Sequence, residues 1–148
     1  MDRHERRAEA AQRRIQRVGA GIEWVIGDAE TPPFARSSFD RVLLDAPCTG
    51  LGTLRRRPEI RHRIGRTSAA KAGRIQRRMI EAALDLVRPG GRLVYSVCTV
   101  TSEETTNVVQ GTGSRAPAGL PGVDLGCGLL FAPHLTGSDG MFVAVIDR

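Results

Sequence analysis

The sequence predicts an α/β layered fold on a mostly parallel sheet, and three observations carry that expectation. Residues 42–48, V-L-L-D-A-P-C, form a continuous apolar run that stops at a carboxylate, a proline and a thiol. Unbroken apolar character of this kind belongs to strands covered on both faces, as in parallel sheets. Residues 92–98, R-L-V-Y-S-V-C, repeat the arrangement, with the second cysteine fifty positions after the first. Around these runs, helical and strand patterns come in the order helix, strand, strand, helix, strand, helix and a closing strand pair.

Residues 2–18 read as a helix: they lack Gly and Pro, gather Ala8, Ala10, Ala11, Ile15 and Val18 on one broad side, turn arginines outward, and stop at Gly19 and Gly21. The short apolar run 22–26, bounded by glycines, is a predicted strand ending at Gly27-Asp28-Ala29, and Thr31-Pro32-Pro33 is loop. Phe39-Asp40-Arg41 leads into a strand over 42–44. Residues 46–58 are loop because of Pro47, Gly50, Gly52 and Pro58. Thr67 or Ser68 caps a long helix running to about Val87, with Ile75, Met79, Ala82, Ala83 and Leu86 at helical spacing and Pro89-Gly90-Gly91 as its stop. Residues 93–96 form the next strand. Thr101-Ser102-Glu103-Glu104 has capping-box spacing and opens a short helix towards Val109. Residues 111–122 are a Gly/Pro/Ser-rich connection. The runs 129–132 and 142–146 are then two strands, paired antiparallel across a loop holding Pro133, Gly137 and Asp139-Gly140.

A chain of 148 residues holds one domain at most, so residues 1–148 are taken as a single unit. The balance of 22 Lys+Arg against 16 Asp+Glu gives a net charge of +6. Lys71 is the only lysine, so the positive charge is almost wholly guanidinium, which suits forked contacts to phosphate. Both a polyanionic partner and an arginine-rich soluble surface account for this composition. The three cysteines, Cys48, Cys98 and Cys127, are odd in number and contain no C-x-x-C pair, so neither a disulfide framework nor a metal site is indicated. Reduced thiols point to a cytoplasmic protein. No apolar run is long enough to span a bilayer, and M-D-R-H-E-R-R is charged where a signal peptide needs an apolar core.

In open α/β sheets ligands sit beyond the carboxyl ends of the strands, and Asp28, Asp45, Cys48 and Cys98 all fall at such ends. One cysteine at a strand end is more often inert filler than nucleophile. Two thiols and an aspartate at adjacent ends suit a particular reaction, methylation of a pyrimidine carbon. Carbon 5 of cytosine is a weak nucleophile, so a thiolate must first add to carbon 6. A carboxylic acid near the ring nitrogen would stabilise the adduct, and a base must then take the carbon 5 proton so that the thiol can leave. On chemistry alone, either cysteine could be the nucleophile.

These residues carry a family resemblance. F-D-R-V-L-L-D-A-P-C-T-G-L-G at 39–52, with Arg57-Pro58-Glu59-Ile60 after it, resembles the fourth motif of the RsmB/NOP/Sun family of RNA cytosine-5 methyltransferases. Gln76, Pro89-Gly90-Gly91 and L-V-Y-S-V-C-T at 93–99 resemble that family's sixth motif and the helix before it, while Glu103, Glu104 and Asn107 fit the segment after that motif. Pro133 and D-G-M-F-V-A at 139–144 resemble the closing strand. The resemblance implies a Rossmann-like class I methyltransferase fold, S-adenosyl-L-methionine as cofactor and RNA, of ribosomal type, as partner. It implies that Cys98 is the nucleophile and that Cys48 assists release of the methylated product. Asp45 would contact the target base or the methyl donor at the rim, Asp28 would face the donor's adenine, and Asp2 would hold its ribose hydroxyls. Without the resemblance, Asp28 reads as a turn residue at a strand end and Asp2 as a helix cap.

Arg55, Arg56, Arg57, Arg61, Arg63 and Arg66 come directly after the Cys48 loop, placing the densest positive charge beside the expected site. Such a cluster would supply salt-dependent phosphate contacts, and a target cytosine would have to be unstacked to reach Cys98. Three departures from the family stand out. The strand and Gly-rich turn that cradle the methionine part of the donor are absent, so the expectation is a C-terminal, N-terminally truncated part of a methyltransferase domain. Val97 stands where the family usually has Thr, and the linker after Gln110 is short. Two competing readings are a catalytically inactive basic RNA-binding or partner-dependent module, and a DNA methyltransferase using Cys48.

Overall fold

The computed structural model describes residues 1–17 and 21–148. The first helix, α1 (Glu5–Gln16), starts three residues later than its pattern suggests, and the predicted end at Val18 and stop at Gly19 lie outside the described residues. Asp2 does serve its start: the carboxylate Oδ1 accepts a hydrogen bond from the His4 backbone N–H at 2.8 Å.

The predicted strand over 22–26 does not form. Its backbone meets the rest of the chain at one parallel bridge, Asp2 to Ile26, through Asp2 N–H to the Val25 carbonyl and Gly27 N–H to the Asp2 carbonyl, each 3.1 Å. A strand needs a ladder, and among the described residues only Asp2 lies alongside this run. Ile22 and Ile26 are accordingly about half exposed.

The sheet is built from β1 (Phe39–Asp45), β2 (Val87–Val97), β3 (Val123–Asp124), β4 (Leu129–Phe131) and β5 (Met141–Asp147), in the order β1-β2-β5-β4-β3. β1 and β2 pair in parallel, with Asp45 opposite Ser96. β5 runs antiparallel to β2, and β4 antiparallel to β5, as expected for the closing pair. The α/β class holds, but the sheet is mixed rather than mostly parallel: among the described residues one of its four strand pairs is parallel. The reversed β5 takes the place beside β2 that a further parallel strand would need a crossover helix to reach.

α2 (Ser68–Leu86) is the predicted long helix and packs on the sheet. Its buried stripe is Gly73, Gln76, Met79, Ile80, Ala83 and Leu86, so the covered face includes Gly73 and Gln76, which an apolar pattern leaves out. Pro89-Gly90-Gly91 is not a loop after the helix. Those residues belong to β2 as a bulge, where Gly90 takes φ +77° and the backbone pairs with the C-terminus: Gly90 N–H to the Arg148 carbonyl, and Arg148 N–H to the Gly91 carbonyl.

The core lies between α2 and the β2/β5 centre, where Val87, Leu93, Tyr95, Val97, Phe142 and Ala144 are fully buried. Tyr95 and Phe142 meet edge to face at 6.4 Å. The apolar run of β1 is covered on one face only among the described residues. Leu44 faces the core, whereas Leu43 is 70% exposed. The connection 111–122 is also more ordered than expected, because Arg115 bridges to Val145 of β5 through two 2.9 Å backbone bonds. A four-residue helix, α3 (Thr106–Val109), comes after a turn over Ser102–Glu104, and α4 (Pro133–Thr136) sits in the loop before β5.

Candidate active site

β1 and β2 run side by side in the same direction, so their carboxyl ends deliver two loops to one place. The Ala46 N–H donates to the Ser96 carbonyl at 3.0 Å, prolonging the ladder past Asp45, and the Gly52 N–H donates to the Cys98 carbonyl at 3.0 Å. Between those two ties the side chains of Cys48 and Cys98 meet, Sγ to Sγ 3.2 Å, each partly exposed. The two cysteines fifty positions apart therefore form one site, as the parallel register requires.

The Cys48 thiol holds its proton tightly. Burial pushes its thiol up to about 12 from 9.0, and both the hydrogen bond to Cys98 and the charge of Cys98 push in the same direction. A proton kept on Cys48 can be donated to the sulfur of Cys98.

The loop after Cys48 is locked by close backbone approach. Gly52 lies against the Gly140 carbonyl so closely that a Cβ would overlap it, and Gly140 N–H returns a 2.8 Å bond to the Gly52 carbonyl. Residues 51–53 form a 3-10 turn there, and Gly50 takes φ +75° at its start. Arg56 closes the arrangement with an ion pair to Asp139, whose carboxyl is held below its usual range mainly by the Arg56 hydrogen bond.

Below the thiols lies a residue that the sequence pattern misassigns. Glu104 is completely buried, and its carboxyl does not reach back to the Thr101 N–H as a capping box would. It accepts hydrogen bonds from the Thr49 N–H at 2.8 Å, the Thr49 hydroxyl at 2.5 Å, the Thr99 and Thr101 hydroxyls at 3.1 Å, and the Gln76 amide at 3.1 Å. Gln76 also donates to the Pro47 carbonyl at 2.9 Å. Thr49, Thr99, Gln76 and Glu104 thus support the site. The usable signal was polar residues flanking both cysteines, together with a glutamine on the apolar face of α2.

The predicted aspartates divide into two groups. Asp45 ends β1 and is exposed at the rim beside the thiols. Asp2 bridges Ile26, two residues before Asp28, and both aspartates are half-buried. Asp28 Oδ1 accepts from the Glu30 N–H at 2.9 Å, so the turn role holds, and Asp2 supports the start of α1. Val97 is fully buried against the core opposite Phe142, so a methyl replaces a hydroxyl at a position that here packs. Among the described residues no three His, Cys, Asp or Glu side chains converge as metal ligands, and no helix is long and apolar enough to cross a membrane.

A parallel strand pair delivering two thiols and an aspartate to the carboxyl end of a mixed sheet defines an α/β protein with a paired-cysteine site. Comparison with known proteins agrees. The profile of the family described as 16S rRNA methyltransferase RsmB/F matches residues 1–147, and the chain belongs to that family. Ribosomal RNA small subunit methyltransferase B of Thermus thermophilus is 36% identical over 99% of this chain and 38% of its own length. The putative methyltransferase Rv1407 of Mycobacterium tuberculosis is 40% identical over 74% of the chain and 26% of its own length. Among solved structures, PH0851 superposes with a TM-score of 0.90 at 27% identity, covering 99% of the chain and 36% of that protein. NSun6 from Pyrococcus horikoshii, solved with SFG, superposes with a TM-score of 0.84 at 31% identity, covering 99% and 40%. The chain therefore spans well under half the length of each of these relatives.

Proposed function

We propose that these residues form the nucleophile-bearing part of an S-adenosyl-L-methionine-dependent RNA cytosine-5 methyltransferase acting on ribosomal RNA in the cytoplasm. The observation that carries the proposal is the Cys48–Cys98 contact, Sγ to Sγ 3.2 Å, at the carboxyl ends of two parallel strands. Cys98 adds through sulfur to carbon 6 of an unstacked cytosine, which makes carbon 5 nucleophilic. Asp45 faces the base at the rim. The bound donor supplies an electrophilic methyl group. After transfer, a base, for which solvent can serve at this exposed rim, takes the carbon 5 proton, and the electrons of that bond restore the carbon 5–carbon 6 double bond and expel the Cys98 sulfur with its bonding pair. The Cys48 S–H, in contact with that sulfur, stabilises the departing thiolate. A thiol that burial and its neighbour keep protonated suits this assisting role.

Support for the donor comes from Asp2 and Asp28, two half-buried carboxylates linked through the Asp2–Ile26 bridge, a residue type suited to ribose hydroxyls and an adenine edge. The NSun6 relative, solved with the donor analogue SFG, supports the same cofactor. The exposed Leu43 on the β1 edge and the share of the relatives' length support a larger catalytic unit, of which residues 1–148 are one part. Residues 1–148 by themselves are expected to bind S-adenosyl-L-methionine more weakly than micromolar in calorimetry. Micromolar binding would contradict the partial-domain reading.

A further inference from the structure

We infer that Glu104 is the positioning residue of the two-thiol site: its buried carboxyl ties the loop behind Cys48 to the loop behind Cys98 and so sets the distance between the sulfurs. Its anchors are the residues directly after each cysteine, Thr49 and Thr99, whose hydroxyls also meet each other at 3.1 Å. The third anchor, Gln76, reaches from α2 to both Glu104 and the Pro47 carbonyl, just ahead of Cys48. One carboxyl therefore collects the chain on both sides of Cys48 and the chain after Cys98.

A carboxyl group is costly to bury unless its acceptor oxygens are satisfied, and here both are. A role confined to starting the 102–104 turn would need bonds to that turn's own N–H groups, and the side chain makes none there. The backbone of Glu104 is fixed separately, by the Tyr95 hydroxyl donating to its carbonyl at 2.8 Å, and by α2 lying so close that a Cβ on Gly73 would overlap the Glu103 carbonyl. The carboxyl makes one local bond, from the Thr101 hydroxyl, and its other bonds come from the two loops and α2.

This inference deepens the proposed function, which needs the thiols in contact, but its test requires neither RNA nor donor. The whole chain is equilibrated with reduced and oxidised glutathione, so that one oxidised glutathione and the Cys48/Cys98 dithiol exchange to the protein disulfide and two reduced glutathiones. Peptide mass spectrometry reads the Cys48–Cys98 pair, and the equilibrium constant gives the effective concentration of one thiol at the other. Glu104→Ala is expected to lower that concentration at least about tenfold, because orientation is lost. Glu104→Gln keeps one acceptor oxygen and is expected to lower it less, about threefold. Tyr95→Phe removes a hydrogen bond to the same residue without touching the carboxyl, and should leave the value within about twofold of the parent while lowering stability. An unchanged effective concentration in Glu104→Ala, or in Glu104→Gln should the alanine variant not fold, overturns the inference. So does a fall in Tyr95→Phe as large as that in the Glu104 variants.

Discussion

The proton on Cys48 is the residue-scale feature with the widest consequences. Because the folded protein holds it more tightly than an unfolded chain would, the associated stabilisation is present below about pH 9 and is lost as pH rises towards about 12. Reactivity has the same sign. Less of Cys48 than of an ordinary thiol is thiolate at pH 8, and its greater intrinsic nucleophilicity offsets only part of that, so iodoacetamide should label Cys48 at least several-fold more slowly. Cys98→Ala removes two of the causes that raise Cys48 and should speed its labelling; labelling at the ordinary rate in the parent protein would contradict the assignment. The cysteine pair itself was legible in the sequence, since two strands ending in thiols have one simple parallel arrangement. Glu104 was not, because T-S-E-E reads locally as a cap. Only the tertiary contact with Thr49, Thr99 and Gln76 shows where the carboxyl goes.

Among the elements, the segment from β1 to α2 is where the chain is most constrained, since Gly52 is wedged between the Cys98 and Gly140 backbones. Gly52→Ala should destabilise the fold by about 1–3 kcal/mol, measured as a lower urea midpoint with little change in slope, because the methyl must displace main chain rather than a flexible side chain. A midpoint equal to the parent's would show that the loop is not clamped. Element types were mostly readable from periodicity: α2, β1, β2 and the antiparallel β4/β5 pair form near their expected places. The failures share a cause. Residues 22–26 look like a strand but find only Asp2 to pair with, and Pro89-Gly90-Gly91 looks like a terminator but finds the chain end and becomes ladder. Pairing partners distant in sequence decide both, and no local window contains them.

Across the whole molecule, the net charge of +6 becomes informative only once its arginines are placed. Of the six after the Cys48 loop, Arg56 is engaged by Asp139 and Arg57 by Glu59, whereas Arg63 and Arg66 carry no ion pair among the described residues. Replacing Arg63 and Arg66 together by alanine should weaken RNA binding and reduce the slope of log affinity against log salt by about 1.4 for a single-stranded site. An unchanged slope would remove these two residues from the interface. At this scale the α/β class and the antiparallel closing pair were legible, whereas the placement of the reversed β5 beside β2 was not, because hydrophobic pattern does not say which strand a neighbour pairs with. The central claim, that Cys98 is the covalent nucleophile and Cys48 its protonated assistant, is tested most directly with the protein expressed from its complete reading frame. That protein is mixed with S-adenosyl-L-methionine and RNA containing 5-fluorocytosine, whose carbon 5 carries no removable proton, so the adduct cannot resolve. The expected result is an RNA-linked peptide bearing the cross-link on Cys98, abolished in Cys98→Ala and retained in Cys48→Ala. A cross-link on Cys48, or one that survives Cys98→Ala, would contradict the claim.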